Sequence, residues 1–168
     1  MTTKQRKLVA LLPMKAHSER VKSKNFREFA GKPLYCWILD TLLSLPVVDL
    51  VVINTDAREI LRESGLVESD RLMIRDRKPE LRGDFVSMNL ILADDVENIG
   101  ADSYLMTHTT NPLLTGRAIS EAVAKFDEGR KAGSADSLFS VTKRQTRFYR
   151  ADGSAVNHDP NHLIRTQD

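Results

Sequence analysis

The feature that most restricts this chain is a short apolar run, Leu8 to Leu12, cut off by Pro13. A run of that length is enough to cross a sheet and too short for a buried helix, so it reads as a buried strand. The residues after Pro13 are polar and dense in cations. Lys15, Arg20, Lys22 and Lys24 stand among His17, Ser18 and Asn25, with Glu19 the one acid. A loop leaving a buried strand of an open α/β sheet lies on the edge where such sheets bind ligands. Its cations suit polyphosphate oxygens, because charge-assisted hydrogen bonds are the stronger ones. The stretch is therefore a candidate phosphate-gripping loop.

The chain beyond it alternates strand and helix signals. Pro33 suits a first helical position, and Leu34, Trp37, Ile38, Thr41, Leu42 and Leu45 recur at helical spacing, predicting a helix to about Ser44 that Pro46 ends. A second buried strand is expected at Leu50–Ile53, with Asn54, Thr55 and Asp56 at its carboxyl end. AREILRESG then predicts a helix capped by Asp56 and closed by Gly65. A third strand is expected at Arg71–Asp76, a polar connector over RKPELRGD, and a helix over Val86–Glu97 that Asp84 can cap. Next come a strand at Ser103–Met106, a loop THTTNPLL and a helix at Ala118–Phe126. DSLFSVTK, Asp136–Lys143, predicts a further strand, and Asp152–Gly153 a hairpin turn. This alternation is the α/β pattern, and right-handed crossovers would bring the polar strand ends after Leu12, Ile53 and Met106 to one edge.

Composition narrows the class. The 168 residues suffice for one domain with a sizeable core, and the net charge of +2 gives no sign of a nucleic-acid or membrane partner. The start, MTTKQRK, leads straight into a strand, and no apolar run reaches the roughly 20 residues that span a bilayer, so a cytoplasmic location is expected. Cys36 is the only cysteine, which excludes an internal disulfide, and its apolar surroundings suit a packed thiol. No G-x-G-x-x-G comes after the first strand, so a nicotinamide-binding domain is not expected.

MKAHSERVKSKN followed by FAGKPL resembles the signature loop of the acylneuraminate cytidylyltransferase family. Ser18, Lys24, Asn25, Gly31, Lys32, Pro33 and Leu34 match it, while Lys15 stands where the family usually has arginine, and Glu19 and Arg20 where it often has lysine and glycine. RKPELRGDFVSMN resembles a second segment near the nucleotide, through Arg77, Glu80, Leu81, Asp84 and Ser87, with Lys78 in place of a proline. LMTHTTNPLLTG resembles a third loop, with Thr110, Pro112 and Leu113 matching, His108 where a sugar-associated glutamine usually stands, and Asn111 in place of serine. HLIRTQD resembles the Arg-x-Gln segment of the sugar carboxylate pocket through Arg165 and Gln167.

The resemblance implies a Rossmann-like nucleotide-diphospho-sugar transferase fold with a mainly parallel, three-layer sheet. It implies one nucleotidyltransferase domain over residues 1–168, incomplete at its carboxyl end, with exposed edges that favour association. The implied reaction moves CMP from CTP to the anomeric hydroxyl of an acylneuraminate-like nonulosonic acid and releases pyrophosphate, with magnesium. Lys15 and Lys24 are the implied catalytic residues. Pro13, Met14, Ser18, Arg20, Asn25, Arg77 and Ser87 are implied for the nucleotide, and His108, Asn111, Arg165 and Gln167 for the sugar. Asp56 is the acid noted at a strand's carboxyl end, in a capping position, and no metal ligand is named. A homodimer is implied for the full-length form. The alternatives are activation of another 3-deoxy-2-keto sugar acid, such as 3-deoxy-octulosonate, whose Gly-Asp-Glu-Pro type loop is missing here, or a nucleotide-binding module without catalysis.

Overall fold

Residues 7–18, 21–144 and 146–162 are described by the computed structural model. Strand β1 (Leu8–Leu11) runs into the basic loop, whose far end closes with a short 3-10 turn, Lys24–Phe26. A small hairpin comes next, β2 (Glu28–Phe29) and β3 (Lys32–Pro33), turning on Ala30 and Gly31 at φ 48° and 90°. Positive φ at both central residues is what a two-residue type I′ turn requires. Helix α1 is Leu34–Ser44; Pro33 pairs with Glu28 in the hairpin and stands at the cap, one residue before its expected place. The chain continues through β4 (Leu50–Thr55), α2 (Arg58–Glu63), β5 (Leu72–Asp76), α3 (Met88–Asn98), β6 (Ser103–Met106) and α4 (Gly116–Lys131). The last helix extends past the expected Ala118–Phe126 at both ends, started by Thr115, whose hydroxyl accepts from the Ala118 amide.

The four long strands form one parallel sheet in the order β5-β4-β1-β6. Period-two alternation sorts their side chains onto two faces. Leu8, Ala10, Leu12, Val51 and Ile53 pack with Leu39 and Leu42 of α1, Leu61 of α2 and Ile119 of α4. Val9, Leu11, Leu50 and Val52 pack on the other face with Leu92 of α3 and Ile99 at its end. Helices therefore cover both faces, giving three layers, and β1 and β4, buried on both sides, read as continuous apolar runs for that reason. Each fully buried Leu or Ile contributes roughly 1.5–3 kcal/mol. Cys36 packs half-buried against the first of these clusters, and burial pushes its thiol pKa up.

Three expectations are corrected. Asp136–Lys143 forms no strand: it has no regular structure, its Ser137–Ser140 stretch lies beside Glu121, Ala122 and Lys125 of α4, and Phe139 and Val141 are 82% and 77% exposed. Strand propensity needs a neighbouring ladder, and none of the described residues supplies one there. Asp56 does not cap α2, whose cap position is Ala57; its carboxylate instead accepts from the Ala16 amide, 2.7 Å away. Asp84 does not cap the next helix either, because that helix starts later, at Met88, with Ser87 accepting from the Asn89 amide at 3.3 Å. Asp84 pairs with Lys15 across the edge of the sheet. Gly65 does close α2: it lies at φ 84°, and the Leu66 amide reaches back to the Leu61 carbonyl at 3.0 Å. The turn at Asp152–Gly153 forms, with Arg150 N–H donating to the Ser154 carbonyl at 2.8 Å. Among the described residues no helix is long and apolar enough to cross a membrane.

Candidate active site

Because all four long strands run the same way, the segments leaving β1, β4, β5 and β6 emerge on one edge. The order β5-β4-β1-β6 reverses direction at β1, so the crevice of an open α/β sheet falls between the segments after β1 and β6. One side chain joins those two segments. Asn25, 5% exposed, donates from Nδ2 to the Lys15 carbonyl at 2.9 Å and accepts at Oδ1 from the Thr109 hydroxyl at 2.7 Å. Asn25, which the resemblance implies for the nucleotide, ties the basic loop to the segment leaving β6.

A second tie lies beneath the loop. The Met14 amide donates to the Asn54 carbonyl at 3.0 Å, continuing the β1–β4 ladder past the strand end. Arg77, 4% exposed, donates from Nη2 to the Met14 carbonyl at 3.1 Å and to the Asn54 carbonyl at 2.8 Å, and from Nε to Asn54 Oδ1 at 2.9 Å. Burial pushes the Arg77 pKa below its ordinary value, and the charges of Asp56 and Asp95 oppose that shift. The guanidinium is thus a buried strut that fixes the backbone at Pro13–Met14. Above it, Ala16 N–H is held by Asp56, and Lys15, about one-third exposed, pairs with Asp84 from the connector after β5. The loop is pinned at 14, 15 and 16 by the carboxyl end of β4 and the connector after β5.

The other candidates distribute around this core of contacts. Lys24 starts the 3-10 turn and is half-buried, Ser18 is half-buried, and Pro13 is buried. His108 and Asn111 are exposed on the segment after β6, where the Asn111 amide donates to the His108 carbonyl at 3.1 Å. Ser87 is exposed at the start of α3, beyond the connector that carries Asp84. Arg20, Arg165 and Gln167 lie outside the described residues. No three Asp, Glu, His or Cys side chains converge among the described residues.

Sequence reasoning missed a polar cluster on the α3 face. Asn54 Nδ2 donates to Asp95 Oδ1 at 2.8 Å, and Arg75 bonds to the same carboxylate. Asp94, beside it, pairs with Arg75 at 3.1 Å and Lys78 at 2.6 Å. Lys78 holds the Asp94 pKa below the usual carboxylate range, while burial pushes that of Asp95 above it. Two signals could have found it: Asn54 inside an otherwise apolar strand end, and two adjacent aspartates in a helix whose neighbours are apolar.

A parallel sheet with helices on both faces, and a cationic loop braced at its switch point, define a Rossmann-like α/β domain of the kind that nucleotidyltransferases use. The chain belongs to the cytidylyltransferase family, whose sequence model matches residues 9–167. Two pseudaminic acid cytidylyltransferases of Campylobacter jejuni are 25% and 24% identical to it over 150 residues, 86% of this chain and 62% of theirs. The chain therefore spans 62% of the length of those relatives. Among solved structures, a CMP:2-keto-3-deoxy-manno-octonic acid synthetase complexed with CTP superposes with a TM-score of 0.60 at 18% identity, covering 74% of this chain and 48% of that one. A 4-diphosphocytidyl-2C-methyl-D-erythritol synthase from Anaerococcus prevotii gives 0.62 at 11% identity, covering 89% and 63%. These likenesses agree with the fold.

Proposed function

We propose that this chain is a CTP-dependent cytidylyltransferase domain that transfers CMP to the anomeric hydroxyl of a nonulosonic acid of the acylneuraminate or pseudaminate kind. The observation that carries the reading is the braced cationic loop at the switch point of a sheet whose sequence matches the cytidylyltransferase family throughout. The names of the Campylobacter jejuni relatives and of the CTP-bound structure support a 2-keto sugar acid as acceptor.

In this reading backbone groups around Pro13 and Met14, held in place by Arg77, read the cytosine. Lys15 and Lys24, with Ser18 and Arg20, hold the triphosphate, and donors aimed at developing phosphate charge supply most of the rate. The sugar's anomeric oxygen attacks the α-phosphorus and loses its proton; the bond from that phosphorus to the bridging oxygen breaks, and pyrophosphate leaves. His108, Asn111, Arg165 and Gln167 receive the sugar, with Arg165 suited to a bidentate grip on the 2-keto acid carboxylate. Ser87 serves the nucleotide from the start of α3, and Arg77 and Asn25 serve it by fixing the loop. Magnesium, when bound, would supply charge neutralisation on the phosphates; such an ion is held largely by the nucleotide's own phosphates with one or two carboxylates, and no step is routed through it.

The test is calorimetric CTP binding beside pyrophosphate release with a panel of pseudaminic acid, N-acetylneuraminic acid and 3-deoxy-manno-octulosonic acid. Binding with release on a nine-carbon acid is expected. Release only with the eight-carbon acid overturns the acceptor, and CTP binding without release reduces the chain to a nucleotide-binding module. Absence of CTP binding refutes the reading.

A further inference from the structure

We propose that Asp95, remote from the loop, is a positioning residue for the nucleotide site: it sets the orientation of the Asn54 amide, through which Arg77 holds the Met14 carbonyl. The inference rests on the CTP reading above and names a residue that the family resemblance does not point to.

An asparagine side chain presents a carbonyl on one side and an amine on the other, and a half-turn exchanges them. Here the turn is not free. Asp95 Oδ1 accepts from Asn54 Nδ2 at 2.8 Å, so Asn54 Oδ1 faces the opposite way and accepts from Arg77 Nε at 2.9 Å. Reversed, the amide would set its own N–H groups against the guanidinium and its oxygen against a carboxylate. Asp95 is fully buried and Asn54 likewise, so water cannot substitute for either partner. Arg77 then spends Nη2 on the carbonyls of Met14 and Asn54, at 3.1 and 2.8 Å. The chain of bonds therefore runs from α3, through the end of β4, to the backbone that is to read the base.

Asp95 Oδ2 is buried without a hydrogen-bond partner. A carboxylate kept in the core with one oxygen unmatched is costly for a purely structural role, since an apolar residue would pack there without that penalty. The groups that face it are Arg75, Asp94 and Asn54, and the charge of Arg77 also acts on it. Arg75 has Asp94 as a second partner, so neutralising Arg75 does not require Asp95.

The experiment compares CTP affinity and thermal midpoint in four variants of the full chain. Asp95→Asn keeps an acceptor for Asn54 and is expected to bind CTP within about threefold of wild type. Asp95→Ala frees the amide to turn and is expected to weaken CTP binding by about tenfold or more, the effect of losing a buried charge-assisted bond. Asn54→Asp presents acceptors on both sides, so in the Asp95→Ala background it satisfies Arg77 whichever way it turns and is expected to recover most of the affinity. With Asp95 present, the same substitution sets two carboxylates against each other and is expected to weaken binding. A reversal seen in CTP affinity, and not only in the thermal midpoint, is what a merely structural role does not give. Equal CTP affinity for Asp95→Ala and wild type, or recovery of the thermal midpoint without recovery of affinity, overturns the positioning role. A wild-type chain that binds no CTP overturns the nucleotide reading itself, and the relay's function with it.

Discussion

Replacing Asn25 with alanine tests whether the crevice is held together from within. The substitution removes two bonds, from Nδ2 to the Lys15 carbonyl at 2.9 Å and from the Thr109 hydroxyl at 2.7 Å, and strands the hydroxyl of a residue that is 5% exposed. Each lost hydrogen bond is worth about 1 kcal/mol, and a polar group left buried without a partner costs about 1–3 kcal/mol more. Lys15 lies in a half-buried loop, so the larger penalty is assigned to Thr109 alone and taken at its lower end, giving an expected loss of at least about 3 kcal/mol. With a urea m-value of about 2 kcal/mol per molar, the unfolding midpoint should fall by at least about 1.5 M. Asn25→Asp keeps the acceptor for Thr109 but sets a buried carboxylate oxygen against the Lys15 carbonyl, so it should fall at least as far at neutral pH and less far at low pH, where the carboxyl is protonated and can donate. Urea titrations followed by tryptophan fluorescence report both, Trp37 being the chain's one tryptophan. A shift under about 0.3 M for the alanine variant would show that the two segments are not coupled through this side chain.

Other perturbations separate the remaining contacts. Lys24→Ala should weaken CTP binding or turnover by tenfold or more at about 0.1 M salt, measured by calorimetry and pyrophosphate release; unchanged values would remove Lys24 from the site. Asp84→Asn releases Lys15 from its partner, and a tighter CTP affinity, by up to about fivefold, is expected, because an exposed pair of this kind is itself worth under ~1 kcal/mol. Arg71→Met removes three donors, to the carbonyls of Leu43, Leu45 and Val48 at 2.7, 2.7 and 2.8 Å, and should lower stability by about 2 kcal/mol in the same urea titration. The raised pKa of Asp95 gives a pH signature. Between the ordinary carboxylate range and that raised pKa, the folded chain keeps a proton that the unfolded chain has given up. Stability from this group is therefore present at low pH and lost as pH rises through the folded pKa, and midpoints across a pH series should show a slope that Asp95→Asn removes.

Local patterning places the four long strands, the four helices and the basic loop. Short apolar runs ended by Pro13 or by polar residues suit buried strands, and helical spacing between them leaves a parallel α/β sheet as the consistent arrangement. Gly65 and Asp152–Gly153 are legible because a positive φ is a local demand that few residues meet. Capping is less so: Asp56 and Asp84 stand where caps are expected, yet Ala16 N–H and Lys15 compete for the same oxygens from other segments. Asp136–Lys143 carries a strand pattern that local preference cannot realise without a neighbouring ladder.

The choice of side chains that brace the loop belongs to the tertiary packing. Asn25 meets Thr109 across 84 positions, Arg77 meets Met14 across 63, and Asp95 meets Asn54 across 41. Those partners are set by the strand order β5-β4-β1-β6, and strand order is a property of how the crossovers pack, not of any window of sequence. Composition and spacing could place cations at the end of a strand. Burying Arg77 under the loop, with Asn54 turned toward it by Asp95, needed three elements in contact, because the cost of hiding those polar groups is met only when all of them are assembled at once.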